Sequence, residues 1–297
     1  MYEAHFNLET LPFGLTPNTQ FFCDLPTHHE ALNTVLFALK SGEGFIKIVG
    51  EVGTGKTLIC RKVLNMLPAE FVTAYIPNPL LSAEELSRAI AAELKIPSAR
   101  LSSNPDLIQT LQQELIALHK QNKKVVLIID EAQVLSDSVL EAIRLLTNLE
   151  TEATKLLQVV LFGQPELDEK LQQAHLRQLK QRITFSYHLK KITKGELPTY
   201  LNYRLFQAGY RQQDLFTHKS LKMLNKASGG IPRLINILAH KSMLVAYGNG
   251  DQHISHKAMQ LAINDTESVK SYRNLRKLYL ISIGLCLAAI IGIWWCA

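Results

Sequence analysis

The chain has 297 residues, of which 47% are hydrophobic and 20% charged, a composition that indicates a mostly globular protein of one large domain or two modest ones. The formal net charge of +6 is too small an excess to indicate a nucleic-acid partner by itself. Four cysteines show no metal-ligand spacing, which excludes the common cysteine metal motifs and favours a reducing, cytoplasmic setting over a disulfide framework.

The first predicted elements are an N-terminal arm over residues 1–27, rich in aromatic residues and prolines, and a helix that follows it to Lys40. The arm is predicted to be extended and to pack onto the body of the protein. His28 and His29 at the start of the helix are interpreted as polar helix-start residues, because no third ligand for a metal ion is evident.

The next stretch carries the strongest motif in the chain, the segment 50–57 with the sequence GEVGTGKT, which satisfies the pattern G-x-x-x-x-G-K-[ST]. A β-branched run at 45–49 precedes it and a helical run at 58–67 follows, which is the strand–loop–helix setting that a phosphate-binding loop requires. Loop amides and the helix N-terminus favour a polyphosphate, Lys56 supplies a charge for the β- and γ-phosphates, and the hydroxyl of Thr57 can bind Mg²⁺. The predicted nucleotide-binding residues are Gly50, Glu51, Val52, Gly53, Thr54, Gly55, Lys56, Thr57 and Leu58.

Further strands are predicted at 71–76, 125–129, 156–162 and 182–189, with helices between them. The continuous apolar runs of the second and third of these are typical of strands buried on both faces of a parallel sheet. Because strands alternate with helices, the sequence predicts right-handed βαβ units and a five-stranded parallel sheet over residues 28–190. The intervening helices are predicted at about 82–94, 105–118, 138–149 and 166–180.

Polar residues follow two of these strands, at the edge of the sheet where ligands bind in open α/β folds. Asp130 comes directly after a buried strand, where it can hold Mg²⁺ opposite Thr57, and Glu131 beside it can polarise an attacking water. An acidic pair after a strand often only begins a turn, but the phosphate-binding loop upstream favours the catalytic interpretation. Gln164 ends the next strand, where it either contacts the γ-phosphate and orients water or simply forms the loop before a proline.

Two arginines flank the start of the fifth predicted strand, Arg177 and Arg182. An arginine at this position can reach the nucleotide of a neighbouring subunit and stabilise transition-state charge. Arg182 is the preferred candidate for this catalytic role, and a solvated surface arginine is the alternative for either residue.

From about residue 191 the predicted elements are helices only, which indicates a small all-α lid domain over 191–264. The segment 229–233, with the sequence GGIPR, begins the third of these helices, with its proline near the first helical position. Arg233 would then face the phosphates from the lid, and an exposed helix-start arginine, which the helix dipole disfavours, is the alternative. The helices are predicted at 196–208, 219–227, 232–247 and 255–263.

The C-terminal part is a basic linker over 265–277 followed by twenty uncharged residues at 278–297. A helix of that length spans about 30 Å, the hydrocarbon thickness of a bilayer. The sequence therefore favours a transmembrane helix, with a buried core helix as the weaker alternative. By the positive-inside rule the preceding domains stay in the cytoplasm. The basic residues of the linker are Lys270, Arg273, Arg276 and Lys277.

Several short segments together resemble one family. They are Met1-Tyr2, Pro12-Phe13, Thr16-Pro17, Gly44-Phe45, the loop 50–57, Asp130–Gln133, Asn148–Glu150, Gly163–Leu167 and Gly230–Asn236. With these residues the chain, over roughly 1–265, resembles AAA+ ATPases, and within them the general secretion pathway protein A group, with most likeness to the ATPases of mannose-sensitive haemagglutinin (type IV) pilus biogenesis. The resemblance implies a three-layer P-loop domain, homo-oligomers, a bacterial inner-membrane location, and partners among the other proteins that assemble a pilus or secretion apparatus.

We therefore expect a membrane-tethered, single-pass ATPase that uses ATP and Mg²⁺ to support assembly of a type IV pilus or type II secretion apparatus. One alternative is a nucleic-acid-handling AAA+ ATPase of the transposition or replication regulator type, which the net charge of +6 motivates. Nucleic acid is the less favoured partner, because four of the basic residues lie beside the predicted membrane segment, where anionic lipid explains them. A second alternative is a scaffold that binds ATP without turnover, which the intact Glu131 argues against.

Overall fold

The computed structural model describes residues 1–97, 107–149, 154–212 and 214–269. The chain divides into two compact units, an α/β unit over Pro17–Lys190 and a helical unit that joins Met1–Thr16 to the chain from Lys191 onwards. The predicted transmembrane segment and most of the predicted basic linker lie outside the described residues. Within the described residues, no helix combines the length and the apolar character needed to span a bilayer.

The α/β unit is built on a five-stranded sheet. Its strands are β1 (Phe45–Gly50), β2 (Phe71–Ile76), β3 (Lys124–Ile129), β4 (Leu157–Gly163) and β5 (Phe185–Leu189). All the pairings are parallel and the order is β2-β3-β4-β1-β5, which confirms the predicted five-stranded parallel sheet. Because β4 alone separates β1 from β3, the segments that follow these three strands emerge side by side at one edge of the sheet.

Helices cover both faces of this sheet, so the unit has three layers. The helices are α1 (Pro26–Lys40), α2 (Lys56–Met66), α3 (Ala83–Glu93), α4 (Leu107–Lys120), α5 (Asp137–Leu146), α6 (Pro165–Leu171) and α7 (Arg177–Arg182). Strand β3 shows why two cores form: Val126 and Ile128 pack with α1 and α2, whereas Leu127 and Ile129 pack with the other helices. Alternate side chains of a strand point to opposite faces, so the continuous apolar run fills both cores.

The segment between β4 and β5 differs from the sequence prediction. The helix predicted over 166–180 consists of α6 and α7 with a short 3-10 turn between them, and β5 begins at Phe185 because the chain is still helical at Arg182. On one straight helix with about 100° per residue, Leu176 would point away from Leu167. The bend lets both leucines enter the same core.

The helical unit contains α8 (Leu197–Gln207), α9 (His218–Ser228), α10 (Pro232–Asn249) and α11 (His256–Asn264). The start of the chain packs among them: the Tyr2 hydroxyl lies 2.8 Å from Nδ1 of His240, and the Phe13 ring meets Phe216 edge-on. The arm predicted as one element over 1–27 is therefore divided between the two units.

A tight turn connects α9 to α10 through Gly230. Its φ is +76°, in the left-handed region, and its carbonyl accepts a 2.8 Å hydrogen bond from the backbone N–H of Ile192. A Cβ at this position would lie 2.2 Å from the Ile192 carbonyl oxygen. Both the backbone conformation and the close approach of the neighbouring chain therefore require glycine here.

Candidate nucleotide-binding site

The loop between β1 and α2 has a backbone that only glycines allow at three places. Gly53 and Gly55 have φ of 80° and 103°, which other residues rarely adopt. A Cβ at Gly50 would lie 2.9 Å from Cβ of Leu189 and 2.8 Å from the Thr54 hydroxyl. The motif therefore forms the curled loop that its spacing predicts, and α2 begins at its end.

The Lys56 side chain folds back over this loop. It is 5% exposed, and its Nζ donates to the backbone carbonyl of Gly50 at 2.7 Å and to that of Glu51 at 3.1 Å. Burial lowers the pKa of Lys56, while the nearby carboxylates of Glu131 and Asp130 oppose this shift. A buried ammonium group whose hydrogen bonds go to neutral carbonyl oxygens is suited to receive the negative charge of a phosphate.

Asp130 and Thr57 meet at the end of β3. Asp130 is 2% exposed, and this burial raises its pKa. Hydrogen bonds from the Thr57 hydroxyl and from the Glu131 N–H, the latter at 2.9 Å, partly offset the rise. A buried carboxylate beside a hydroxyl fits one side of a Mg²⁺ site. Among the described residues no group of three or more His, Cys, Asp and Glu could hold a metal. The cation would therefore need phosphate oxygens and water as its remaining ligands, as Mg²⁺ commonly does.

Two amide groups hold the carboxylate of Glu131. Its Oε2 accepts hydrogen bonds from Nε2 of Gln133 at 2.6 Å and from Nε2 of Gln164 at 3.0 Å. Partial burial favours a higher pKa for Glu131, but these two hydrogen bonds and the charge of Lys56 together outweigh it, so its pKa lies below its usual value and the group is ionised at neutral pH. Glu131 also has a left-handed backbone, with φ of 52°. The structure thus brings Lys56, Glu131 and Gln164 together.

Gln133 is a residue that the sequence analysis used only as a family marker. Its Oε1 accepts the backbone N–H of Gln164 at 3.1 Å, so one side chain links the ends of β3 and β4. The only sequence feature that pointed to a role for Gln133 was its position two residues after Glu131. That spacing acquires meaning only once the left-handed turn at Glu131 directs both side chains to the same place.

The side chain of His28 braces the phosphate loop from α1. It is buried, its Nε2 donates to the Thr54 carbonyl oxygen at 3.1 Å, and its ring meets Phe22 edge-on. A Cβ at Gly55 would lie 3.2 Å from the same nitrogen. The interpretation of His28 as a polar helix-start residue missed this contact, because it arises from the packing of α1 against the loop and no local pattern marks it.

The three arginines predicted to act on the nucleotide have different surroundings. Nη1 of Arg182 donates to the Arg144 carbonyl oxygen at 3.2 Å and to the Thr147 hydroxyl at 3.1 Å, at the C-terminal end of α5. Arg177 is exposed in the first turn of α7, and Arg233 is exposed in the first turn of α10, in the helical unit. Their catalytic roles stay predictions.

Residues 39–171 match the family described as AAA domain. Over 295 residues the chain is 39% identical to General secretion pathway protein A of Aeromonas hydrophila; the match covers 99% of this chain and 54% of the relative, so the chain spans about half of its length.

Among solved structures, the ORC2 protein of Aeropyrum pernix and Cdc6p of Pyrobaculum aerophilum match with TM-scores of 0.61 and 0.62 at 17% and 20% identity. Each match covers 88% of this chain and 70% of the other, and at such identities it shows the fold alone. Residues 39–171 thus match the AAA domain family and have the P-loop α/β fold, in a chain similar to General secretion pathway protein A.

Proposed function

We propose that this chain is a Mg²⁺-dependent ATPase that is tethered to the bacterial inner membrane and supports assembly of a type IV pilus or a secretion apparatus. Hydrolysis, as distinct from mere binding, is supported by one observation above all. An ionised carboxylate, Glu131, is held by two amides beside the ammonium group of Lys56.

The residues of the site divide the work. Lys56 and the loop amides bind the β- and γ-phosphates, and Thr57 and Asp130 would hold Mg²⁺, which when bound neutralises charge on those phosphates. Glu131 orients a water molecule for in-line attack on the γ-phosphorus and accepts its proton, while the bond to the leaving ADP oxygen breaks. Gln164 fixes the carboxylate that carries out this step.

Two substitutions separate binding from hydrolysis. Lys56→Ala should abolish nucleotide binding, because it removes the charge that receives the phosphates. Glu131→Gln should keep binding, since an amide oxygen can still accept from both glutamines, while kcat falls about 10²- to 10⁴-fold through loss of the general base. Phosphate release and equilibrium binding of a fluorescent ATP analogue measure the two effects.

A matched control is Glu169→Gln, which removes an exposed carboxylate on α6 and should leave both quantities unchanged. Hydrolysis at the wild-type rate by the Glu131→Gln protein would show that Glu131 is not the base. ATP binding without turnover by the wild-type oligomer would favour a scaffold.

The assembly role rests on the similarity to General secretion pathway protein A and on the resemblance to type IV pilus ATPases. Cells in which only the Glu131→Gln protein is made should be defective in pilus assembly or in protein secretion, and the defect itself tells which apparatus is served. Fractionation tests the tether: recovery of the full-length chain in the soluble fraction would contradict inner-membrane attachment. Normal assembly and secretion in the Glu131→Gln cells would contradict the role.

A further inference from the structure

The helical unit carries a row of three lysines on α9. Lys219, Lys222 and Lys226 are spaced i, i+3 and i+7, which places them within about 60° of arc along about 10 Å of helix. All three are exposed. The opposite side of α9 is buried through Ser220 and Leu224, so the helix is oriented with its lysine row towards solvent.

Among the residues that the structure describes, no acidic side chain pairs with this row. The sequence of α9 contains no Asp or Glu, and none of the three lysines forms an ion pair with a described residue. Lys241 on the next helix shows the contrasting situation, since it pairs with Asp265 at 2.8 Å. Like charges at i, i+3 and i, i+4 spacing destabilise a helix, and so does a lysine in its first turn. Lys226, in the last turn, is favoured by the helix dipole, so the unfavourable contributions of the row are the repulsion between its lysines and the position of Lys219.

We infer that the lysine row of α9 docks on a bilayer surface that contains anionic phospholipid. The inference rests on the membrane attachment proposed above. Only residues 270–277 separate the end of the described helical unit from the predicted membrane segment, and such a stretch spans at most about 30 Å. The helical unit is thereby held near the bilayer, where positive charge is attracted to the anionic headgroups.

A nucleic acid fits the row less well. Proteins that recognise base sequence or bind single strands use arginine, asparagine, glutamine or aromatic side chains to contact or stack on bases, whereas all three positions of the row are lysines. A bilayer surface needs no such geometry, because diffuse charge attracts lysine without a defined pairing. Each lysine near an anionic surface strengthens association about fivefold, so three give about a hundredfold, and added salt weakens the effect.

Lysine footprinting of the full-length chain tests the inference. The chain is reconstituted with vesicles of phosphatidylcholine, with or without phosphatidylglycerol, and the rate of acetylation of each lysine is read by mass spectrometry. We expect Lys219, Lys222 and Lys226 to react about fivefold or more slowly on the anionic vesicles, and high salt to remove the difference. Lys40, exposed on α1, is the internal reference and should react equally on both.

A double variant, Lys222→Gln with Lys226→Gln, should restore most of the reactivity of Lys219 on anionic vesicles, while circular dichroism shows an unchanged fold. If the chain floats with both kinds of vesicle but the three lysines react equally, the docking inference is wrong and the membrane attachment stands. If the chain floats with neither kind, the proposed attachment itself is wrong. Stronger protection of the row by duplex DNA than by anionic vesicles would assign it to nucleic acid and overturn the inference.

Discussion

The side-chain amide of Gln133 makes a sharp test of how the site works, because it contacts Glu131 and Gln164 at once. Gln133→Ala removes a 2.6 Å hydrogen bond to a carboxylate and a 3.1 Å hydrogen bond from a backbone N–H. Because Gln133 is partly exposed, each of these hydrogen bonds contributes only about 1 kcal/mol to stability. The free energy of unfolding should therefore fall by about 2 kcal/mol. Urea denaturation measures this change.

The same substitution should also change catalysis. With only Gln164 left to orient Glu131, misplacement of the base should lower kcat by about 10- to 100-fold. A hydrogen bond to the ionised form lowers a carboxyl pKa, so its loss should raise the pKa of Glu131. Because the base must be ionised, the acidic limb of the kcat–pH profile should then move to higher pH.

Phosphate release at saturating ATP, measured across the pH range, reads out both effects, with Gln173→Ala as a control at an exposed glutamine. An unchanged kcat and acidic limb, together with lower stability, would mean that Gln133 only supports the fold. A higher kcat would mean that the amides restrain Glu131 from water, and would refute the positioning role.

Three further substitutions test particular contacts. Gly230→Ala should lower the free energy of unfolding by about 3 kcal/mol, because it combines a left-handed backbone with a clash against Ile192; urea denaturation showing a loss below about 1 kcal/mol would contradict this. Asp168→Asn leaves the largely buried Lys47 without its ion-pair partner and should cost about 3 kcal/mol at neutral pH. Burial favours a higher pKa for Asp168, but the hydrogen bonds from Lys47 and His188 and the charge of Lys47 outweigh it, so the pKa of Asp168 is lowered. The difference in unfolding free energy between the variant and wild type, followed by urea denaturation against pH, should therefore close as pH falls below 3.8. Arg182→Ala should lower the free energy of unfolding by about 1 to 2 kcal/mol through its lost helix-end contacts. If Arg182 also acts in trans, as the sequence predicts, turnover should fall 10³-fold or more; turnover close to wild type, measured by phosphate release, would leave Arg182 with the structural contacts alone.

The parts of the fold that could be predicted from the sequence are those determined by neighbouring residues in the chain. The loop 50–57 needs glycines at fixed places, and a strand buried on both faces needs an unbroken apolar run, as in β3. Since the ends of parallel strands meet at one edge, the sequence also placed Asp130 and Glu131 near Lys56.

The contacts that it missed depend on where distant elements pack. His28 reaches Thr54 only because α1 lies against the phosphate loop, and Gln133 reaches Gln164 only because β3 and β4 are neighbours. The break between α6 and α7 follows from core packing, which periodicity over a single long window does not show.

The first turn of α1 contacts two separate places in the α/β unit. His28 donates a hydrogen bond to the Thr54 carbonyl oxygen of the phosphate loop. Its neighbour Thr27 accepts a 3.1 Å hydrogen bond from the backbone N–H of Lys190, the last residue of the α/β unit. Any shift of the Thr54 carbonyl must therefore either break the hydrogen bond from His28 or move the first turn of α1. Two adjacent residues of one helix turn thus connect the phosphate loop to Lys190, at the end of the α/β unit.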